Sequence, residues 1–216
     1  CAQPCRYKYH VVEEKRPGQY FPIEEHEEGT FLFNSKDLCK LEHLPEVIEA
    51  GIHSLKIEGR VKSSYYVATV IRSYRMAIDA YLKDPENYQY DPVWLKEIQK
   101  VSHRDFTTGF FFNKPGTEDH VYGTSSYLRG YDFVGMVLDY EPETGIATVE
   151  QRNRMFVGEE IEIFGPGKEY FVQKIEEMWD EENNPIDVAP HPQQILKIRM
   201  KQPVERFDLI RKPRED

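Results

Sequence analysis

Apolar positions in the first half of the chain switch between two periods. His43-Leu44-Pro45-Glu46-Val47-Ile48-Glu49-Ala50-Gly51 reads as a short helix, with Pro45 in its first turn and Gly51 closing it. Ser54-Leu55-Lys56-Ile57-Glu58 alternates and predicts a strand, with Leu55 and Ile57 on one face and Lys56 and Glu58 on the other. After Gly59-Arg60-Val61-Lys62, apolar residues recur at helical spacing through Val67, Val70, Ile71, Tyr74, Ile78 and Tyr81. Ser63 or Ser64 is the expected N-cap, and Pro85 ends the run. Asp91-Pro92 opens a further helix with a stripe of Trp94, Leu95, Ile98 and Val101. Thr30-Phe31-Leu32-Phe33 reads as a short buried strand. Such alternation predicts the last units of a parallel α/β fold over residues 1–116.

The pattern changes after a Gly/Ser/Tyr-rich linker at 117–131. Phe133 to Leu138 and Ile146 to Val149 flank Pro142-Glu143-Thr144-Gly145, a hairpin signal. Glu160-Ile161-Glu162-Ile163-Phe164 alternates strictly. Tyr170 to Val172, Ile195 to Ile198 and Phe207 to Ile210 are further strands, and the acidic turn from Asp180 to Asn184 reads as solvated. Short strands between Gly/Pro turns predict a small β-barrel or sandwich over 132–216. The expected fold class is therefore α/β followed by all-β.

Composition narrows the functional classes. The chain is 39% hydrophobic and 31% charged, and its formal net charge is −10. No apolar run approaches a membrane span, so no membrane partner is expected. Residues 127–216 carry 12 basic and 19 acidic groups, a net of −7. Any RNA contact must therefore use a local basic patch, and Arg152 with Arg154, or Lys197 with Arg199 and Lys201, could supply one. Three cysteines do not suggest a disulfide scaffold and fit a reducing cytoplasm.

Those cysteines are the first candidates for chemistry. Cys1 and Cys5 are spaced C-x₃-C, and Cys39 follows at a distance. Part of a metal or iron–sulfur site would look like this, with the missing ligands in preceding sequence, so the chain reads as the back half of a longer protein. Cys5 beside Arg6 and Cys39 beside Lys40 sit in settings that favour thiolates. Buried inert thiols are the alternative, and the residues alone leave both roles open.

The second candidate is Lys56 to Ser63. Lys56 and Glu58 share a face at a strand end, and Arg60 and Lys62 lie where the chain turns into a helix. Cations at a helix N-terminus suit an anionic substrate or phosphate. A Lys–Glu pair inside a barrel plus a solvated loop is the plainer alternative, and the residues by themselves favour it. In Ser102-His103-Arg104-Asp105, His103 could act as a base or satisfy a carbonyl at a helix end, and the second is the better match. Ser, His and Asp within four residues do not make a hydrolase triad, whose members come from separate elements. No GxSxG, HExxH, P-loop or GxGxxG motif occurs.

In this order, Cys1-Ala2-Gln3-Pro4-Cys5-Arg6, Ser35-Lys36-Asp37-Leu38-Cys39, Ser54 to Ser63, Tyr65-Tyr66-Val67-Ala68, Tyr74 to Asp79 and Ser102 to Phe110 resemble the collagenase-like peptidase family U-32. The resemblance covers nearly all of residues 1–115, and the β-rich tail looks like the family's C-terminal barrel domain. The most similar subgroup is the bacterial tRNA-hydroxylation proteins, which convert the wobble uridine to 5-hydroxyuridine with prephenate as cosubstrate.

The resemblance implies the C-terminal part of an α/β-barrel-like catalytic domain followed by a small β-barrel. It also implies a [4Fe–4S] cluster on four cysteines, two of them upstream. Cys1 and Cys39 match the other two, and Cys5 replaces one of these in some relatives. The piece alone should then hold no stable cluster and be inactive. On this reading Lys56, Glu58 and Arg60 are catalytic, and Arg60, Lys62, His103 and Arg104 bind prephenate or tRNA phosphate. Expected partners are tRNA and a paralogous family subunit. Proteolysis of collagen-like substrates, and a binding role for the C-terminal module alone, are the rival functions.

Overall fold

Ser63 caps the helix that the spacing predicts. In the computed structural model its hydroxyl accepts a hydrogen bond from the Tyr66 amide at 3.3 Å, and helix α2 runs Ser64–Lys83. Asp91 caps α3, Pro92–Gln99, through the Val93 amide at 2.9 Å, with Pro92 in the first turn, where no N–H is needed. Helix α1, Leu44–Glu49, ends at Gly51, whose φ of +80° a side-chain-bearing residue rarely adopts. The structure describes residues 36–115 and 127–214, with 3, 7, 9–11, 17–18, 21–22 and 119. The predicted strand at Thr30 to Phe33 lies outside them.

The chain divides into two units, Cys1–Val67 with Ser73–Leu128, and Ala68–Arg72 with Arg129–Asp216. In the first, strands β1 (His10–Val11) and β2 (Phe21–Pro22) pair antiparallel. Strands β3 (Asp37–Leu38) and β4 (Phe106–Thr107) pair in parallel, the arrangement that α/β alternation requires. Leu41, Leu44, Tyr65, Ala77, Trp94, Ile98 and Val101 are buried. Two expectations are corrected. Residues 54–58 form no strand, because no described segment offers them a ladder partner, and Leu55, Lys56 and Glu58 are exposed. Ile71, expected on the buried stripe, is about half exposed.

The second unit is built on a seven-stranded sheet, all of whose neighbouring pairs are antiparallel. Its strands are β5 (Tyr131–Glu141), β6 (Ile146–Gln151), β8 (Glu160–Phe164), β9 (Phe171–Lys174), β10 (Met178–Asp180), β12 (Ile195–Arg199) and β13 (Leu209–Pro213). Their order is β10-β12-β6-β5-β13-β8-β9. Strands β7 (Met155–Phe156) and β11 (Val188–Ala189) form a separate pair. The predicted hairpin joins β5 to β6, and Gly145 takes φ +70° in its turn. Register shifts in the β5–β6 and β5–β13 ladders bend the sheet. Among the described residues the ladder does not close between β9 and β10, so a complete hydrogen-bonded barrel is not formed. Between them Ile175 enters the core, and its amide donates to the Glu159 carbonyl instead. Val134, Val149, Ile161, Ile163, Leu196, Ile198 and Ile210 form the centre of that core.

Strand β13 starts two residues later than the pattern predicts. Buried Asp208 accepts from the Glu205 amide at 2.8 Å and pairs with Lys168 at 2.6 Å, which holds a turn in front of the strand. Gly165 packs directly on this carboxylate, where a Cβ would lie 2.9 Å from Asp208 Cγ. Deeper still, Arg211 is fully buried. It pairs with Glu162 at 2.7 Å and lies 4.5 Å from the centre of the Phe164 ring, with Tyr131 and Tyr170 on other sides. Tyr131 donates its hydroxyl to the second Glu162 oxygen at 3.2 Å.

Removing one partner of a buried ion pair strands the other charge, at a cost of about 3–5 kcal/mol. Glu162→Ala should therefore lower urea stability by about that amount, read from the fluorescence of Trp179, while Glu162→Gln, which keeps an acceptor, loses less. Equal stability of Glu162→Ala and the unchanged chain would contradict this account.

Candidate functional site

The residues singled out in the sequence separate into three groups in the structure. Lys56, Glu58 and Arg60 lie exposed. Glu58 does not pair with Lys56 as their alternation suggests. Its Oε1 accepts from the Arg60 amide at 2.8 Å and from Arg60 Nε at 3.0 Å. These bonds hold the Glu58 carboxyl below the usual carboxylate range. Glu58 is thus held as an anion, suited to orient Arg60 and unsuited to donate a proton.

Lys62 and Arg104 gather around Tyr127, and His103 forms a bridge with Leu128 beside it. Lys62 Nζ donates to the Ser102 carbonyl at 3.0 Å and lies 3.6 Å from the centre of the Tyr127 ring. The Arg104 guanidinium lies 4.9 Å from the same ring. The Arg104 amide donates to Asp37 at 3.0 Å, which ties this segment to β3. His103 is buried and stacks on Phe106. Its Nδ1 lies 2.7 Å from the Arg104 carbonyl oxygen, which can only accept, so Nδ1 carries the proton. His103 and Arg104 are both buried, at 7% and 4% exposure.

Cys39 follows β3, on the other side of the same parallel pair. Its amide donates to the Thr107 carbonyl at 3.0 Å, and its Sγ lies 3.8 Å from the Tyr74 hydroxyl. That hydroxyl also accepts from the Lys40 amide at 2.9 Å. The Lys40 ammonium is spent on the Thr108 carbonyl and on the Phe111 ring. The thiolate-favouring setting expected for Cys39 is therefore corrected: burial pushes the thiol up, and Lys40 opposes this only weakly. Burial also raises the Tyr74 hydroxyl, with Cys39 adding to it. Cys1 and Cys5 lie outside the described residues. Asp37, Tyr74 and Tyr127 were not among the candidates. Tyr74 carried a signal, but its helical spacing made it look like plain core.

The profile of "Peptidase family U32" matches residues 1–121, and that of "Peptidase family U32 C-terminal domain" matches residues 129–211. The chain belongs to peptidase family U32. Within U32 it is 42% identical over 98% of its length to the tRNA hydroxylation protein P1 of Bacillus subtilis. It is 34% identical over 83% of its length to the tRNA hydroxylation protein P of Escherichia coli, and 31% identical over 96% to a collagenase of Porphyromonas gingivalis. It spans 50%, 39% and 50% of those three proteins.

The U32 match to residues 1–121 takes in Cys39, Lys56, Glu58, Arg60, Lys62, His103 and Arg104. Among the described residues, no set of three or more His, Cys, Asp or Glu side chains is arranged to hold a metal. Cys39 by itself fits a cluster ligand: its sulfur is a soft donor, partly buried, and receives the Leu41 amide. No described helix is long and apolar enough to cross a membrane.

Tyr74→Phe removes the acceptor of the Lys40 amide. A buried donor left unmade costs about 1–3 kcal/mol. Urea unfolding followed at Trp94 should show a loss in that range, and an unchanged midpoint would mean that the amide finds another partner.

Proposed function

We propose that this U32 chain is the C-terminal portion of a protein that hydroxylates the wobble uridine of tRNA to 5-hydroxyuridine, with prephenate as cosubstrate. The observation that carries the reading is the 42% identity, sustained over 98% of the chain, to a protein named for tRNA hydroxylation. The exposed Lys56 and Arg60 would receive the carboxylates of prephenate or a tRNA phosphate. Glu58 orients Arg60 by accepting from its amide and its Nε. Lys62, His103 and Arg104 act behind them, with Lys62 and Arg104 fixing the Tyr127 ring between two cations.

Cys39, with Cys1 and Cys5, would contribute ligands to a [4Fe–4S] cluster completed by cysteines elsewhere in the protein. Bound there, the cluster would supply one-electron redox capacity. Cys39 is partly buried, and its sulfur receives one backbone N–H. The proposed setting is the cytoplasm, where reduced thiols persist. The C-terminal sheet domain, read as barrel-like, would help dock tRNA, and a paralogous subunit would complete the assembly.

A second reading, proteolysis, rests on the 31% identity to a collagenase. Purified full-length protein that cleaves gelatin after removal of contaminating proteases would favour it.

The hydroxylation reading is tested in a strain lacking the gene. Wild-type full-length protein should restore 5-hydroxyuridine in bulk tRNA, measured by nucleoside mass spectrometry. Arg60→Ala and Cys39→Ala should each restore less than about a tenth, since losing a charge-assisted contact costs at least a factor of ten. Full restoration by both variants would refute the roles given to them. Iron and sulfide analysis of anaerobically purified protein should give close to four irons per chain, about as a [4Fe–4S] centre requires, and Cys39→Ala should lose them.

A further inference from the structure

Within the second unit, the end of β6 and the segment after β11 enclose a cleft of about 370 Å³, lined by Gln151, Arg152, Asn153, Arg154, Pro190 and Pro192. That volume lies at the small end of ligand sites, which run from roughly 300 to 1,000 Å³.

Its walls are locked together before any ligand arrives. The Gln151 amide donates to the Gln194 carbonyl at 2.9 Å, and the Gln193 amide donates back to the Gln151 carbonyl at 3.1 Å. The buried Gln151 side chain donates Nε2 to the Ala189 carbonyl at 2.9 Å, directly ahead of Pro190. The amides of Arg152 and Asn153 both donate to the Val134 carbonyl, which pins the arginine-bearing turn to β5. Gln193 takes φ +60°, a left-handed conformation unusual for glutamine. Such strain persists only where the surroundings over-determine it.

The cleft carries two cations in different states. Arg152 is paired with Glu150 at 2.5 Å, but among the described residues the Arg154 guanidinium has no acidic partner. In the other basic stretch, two of the three cations are neutralised. Arg199 pairs with Glu177 at 2.5 Å, Lys201 pairs with Glu176 at 2.9 Å, and Lys197 is held by Asn183 at 2.5 Å. Arg154 therefore presents the cleft with a guanidinium that a negative group can meet without first breaking an ion pair.

We propose that this cleft binds one nucleotide of single-stranded RNA. Arg154, with Arg152 released from Glu150, grips the phosphate. The exposed rings of Pro190 and Pro192 flank the base. The Asn153 Oδ1 is taken by the Arg154 amide at 2.9 Å, which leaves its NH₂ to donate to a base edge. Cation, amide donor and apolar flank within one small rigid cleft match the parts of a nucleotide. An acidic peptide would use the cations alone. The assignment rests on the tRNA reading and adds to it the surface on which the RNA is held.

The test uses the full-length protein and a fluorescent hairpin RNA carrying an unmodified wobble uridine, with binding followed by anisotropy at several salt concentrations. Arg154→Ala should weaken binding about tenfold and lower the slope of log K against log salt by about 1. Arg199→Ala, exposed but paired, should change binding by less than about twofold. Wild-type binding that Arg152→Ala and Arg154→Ala leave unchanged overturns the cleft and leaves the tRNA reading standing. No RNA binding by the wild-type protein overturns both. Displacement of the RNA by a glutamate-rich peptide as readily as by unlabelled RNA also overturns the assignment, in favour of an acidic protein ligand.

Discussion

A guanidinium with no exposure to water sits in the middle of the C-terminal sheet, and the arrangement of that sheet must accommodate it. Arg211 lies on β13, between β5 and β8, directly across from Glu162. A shift of one residue in that ladder would turn every side chain of the strand to the opposite face. Here it would part Arg211 from its carboxylate and place a lone charge in the core. The pair adds little net stability over well-packed apolar residues, since desolvation offsets most of its Coulomb attraction. Its effect is to make alternative registers expensive. The aromatic rings of Phe164, Tyr131 and Tyr170 complete a site that only one register can assemble.

Local chemistry made much of the fold readable in the sequence. Ser63 and Asp91 each cap the helix that the apolar spacing predicts, because cap and stripe depend on residues within one or two turns. The strands at 160–164 and 195–198 were likewise legible from strict alternation. Reading failed where the outcome depended on distant partners. Residues 54–58 alternate as a strand should, yet alternation does not supply a ladder neighbour. The start of β13 moved because Asp208 finds Lys168, forty positions away. The short strands β7, β10 and β11 carry too few residues to show a period.

The candidate site was legible as a set of residues but not as an arrangement. Glu58 turned from Lys56 to Arg60, two positions along, because the carboxylate could take the Arg60 amide and side chain together. His103 and Arg104 look like surface chemistry in a polar stretch, but Phe106, Asp37 and Tyr127 enclose them. Cys39 beside Lys40 suggests an activated thiol, yet the lysine points its charge at Thr108 and Phe111. Adjacency in sequence says little about which way two side chains face.

The central place of β13 also bears on how the domain comes to exist. Its ladder with β5 joins Leu209 to Met136 and Pro213 to Tyr131. The middle of the sheet is thus closed by contacts between its earliest and latest strands. Bringing such remote segments together costs loop entropy before any packing repays it, and domains dominated by non-local pairs fold slowly. During synthesis, β5 and β8 must wait with unpaired backbone edges until the last of the seven strands leaves the ribosome, and that interval is when this domain is most exposed to mispairing and aggregation.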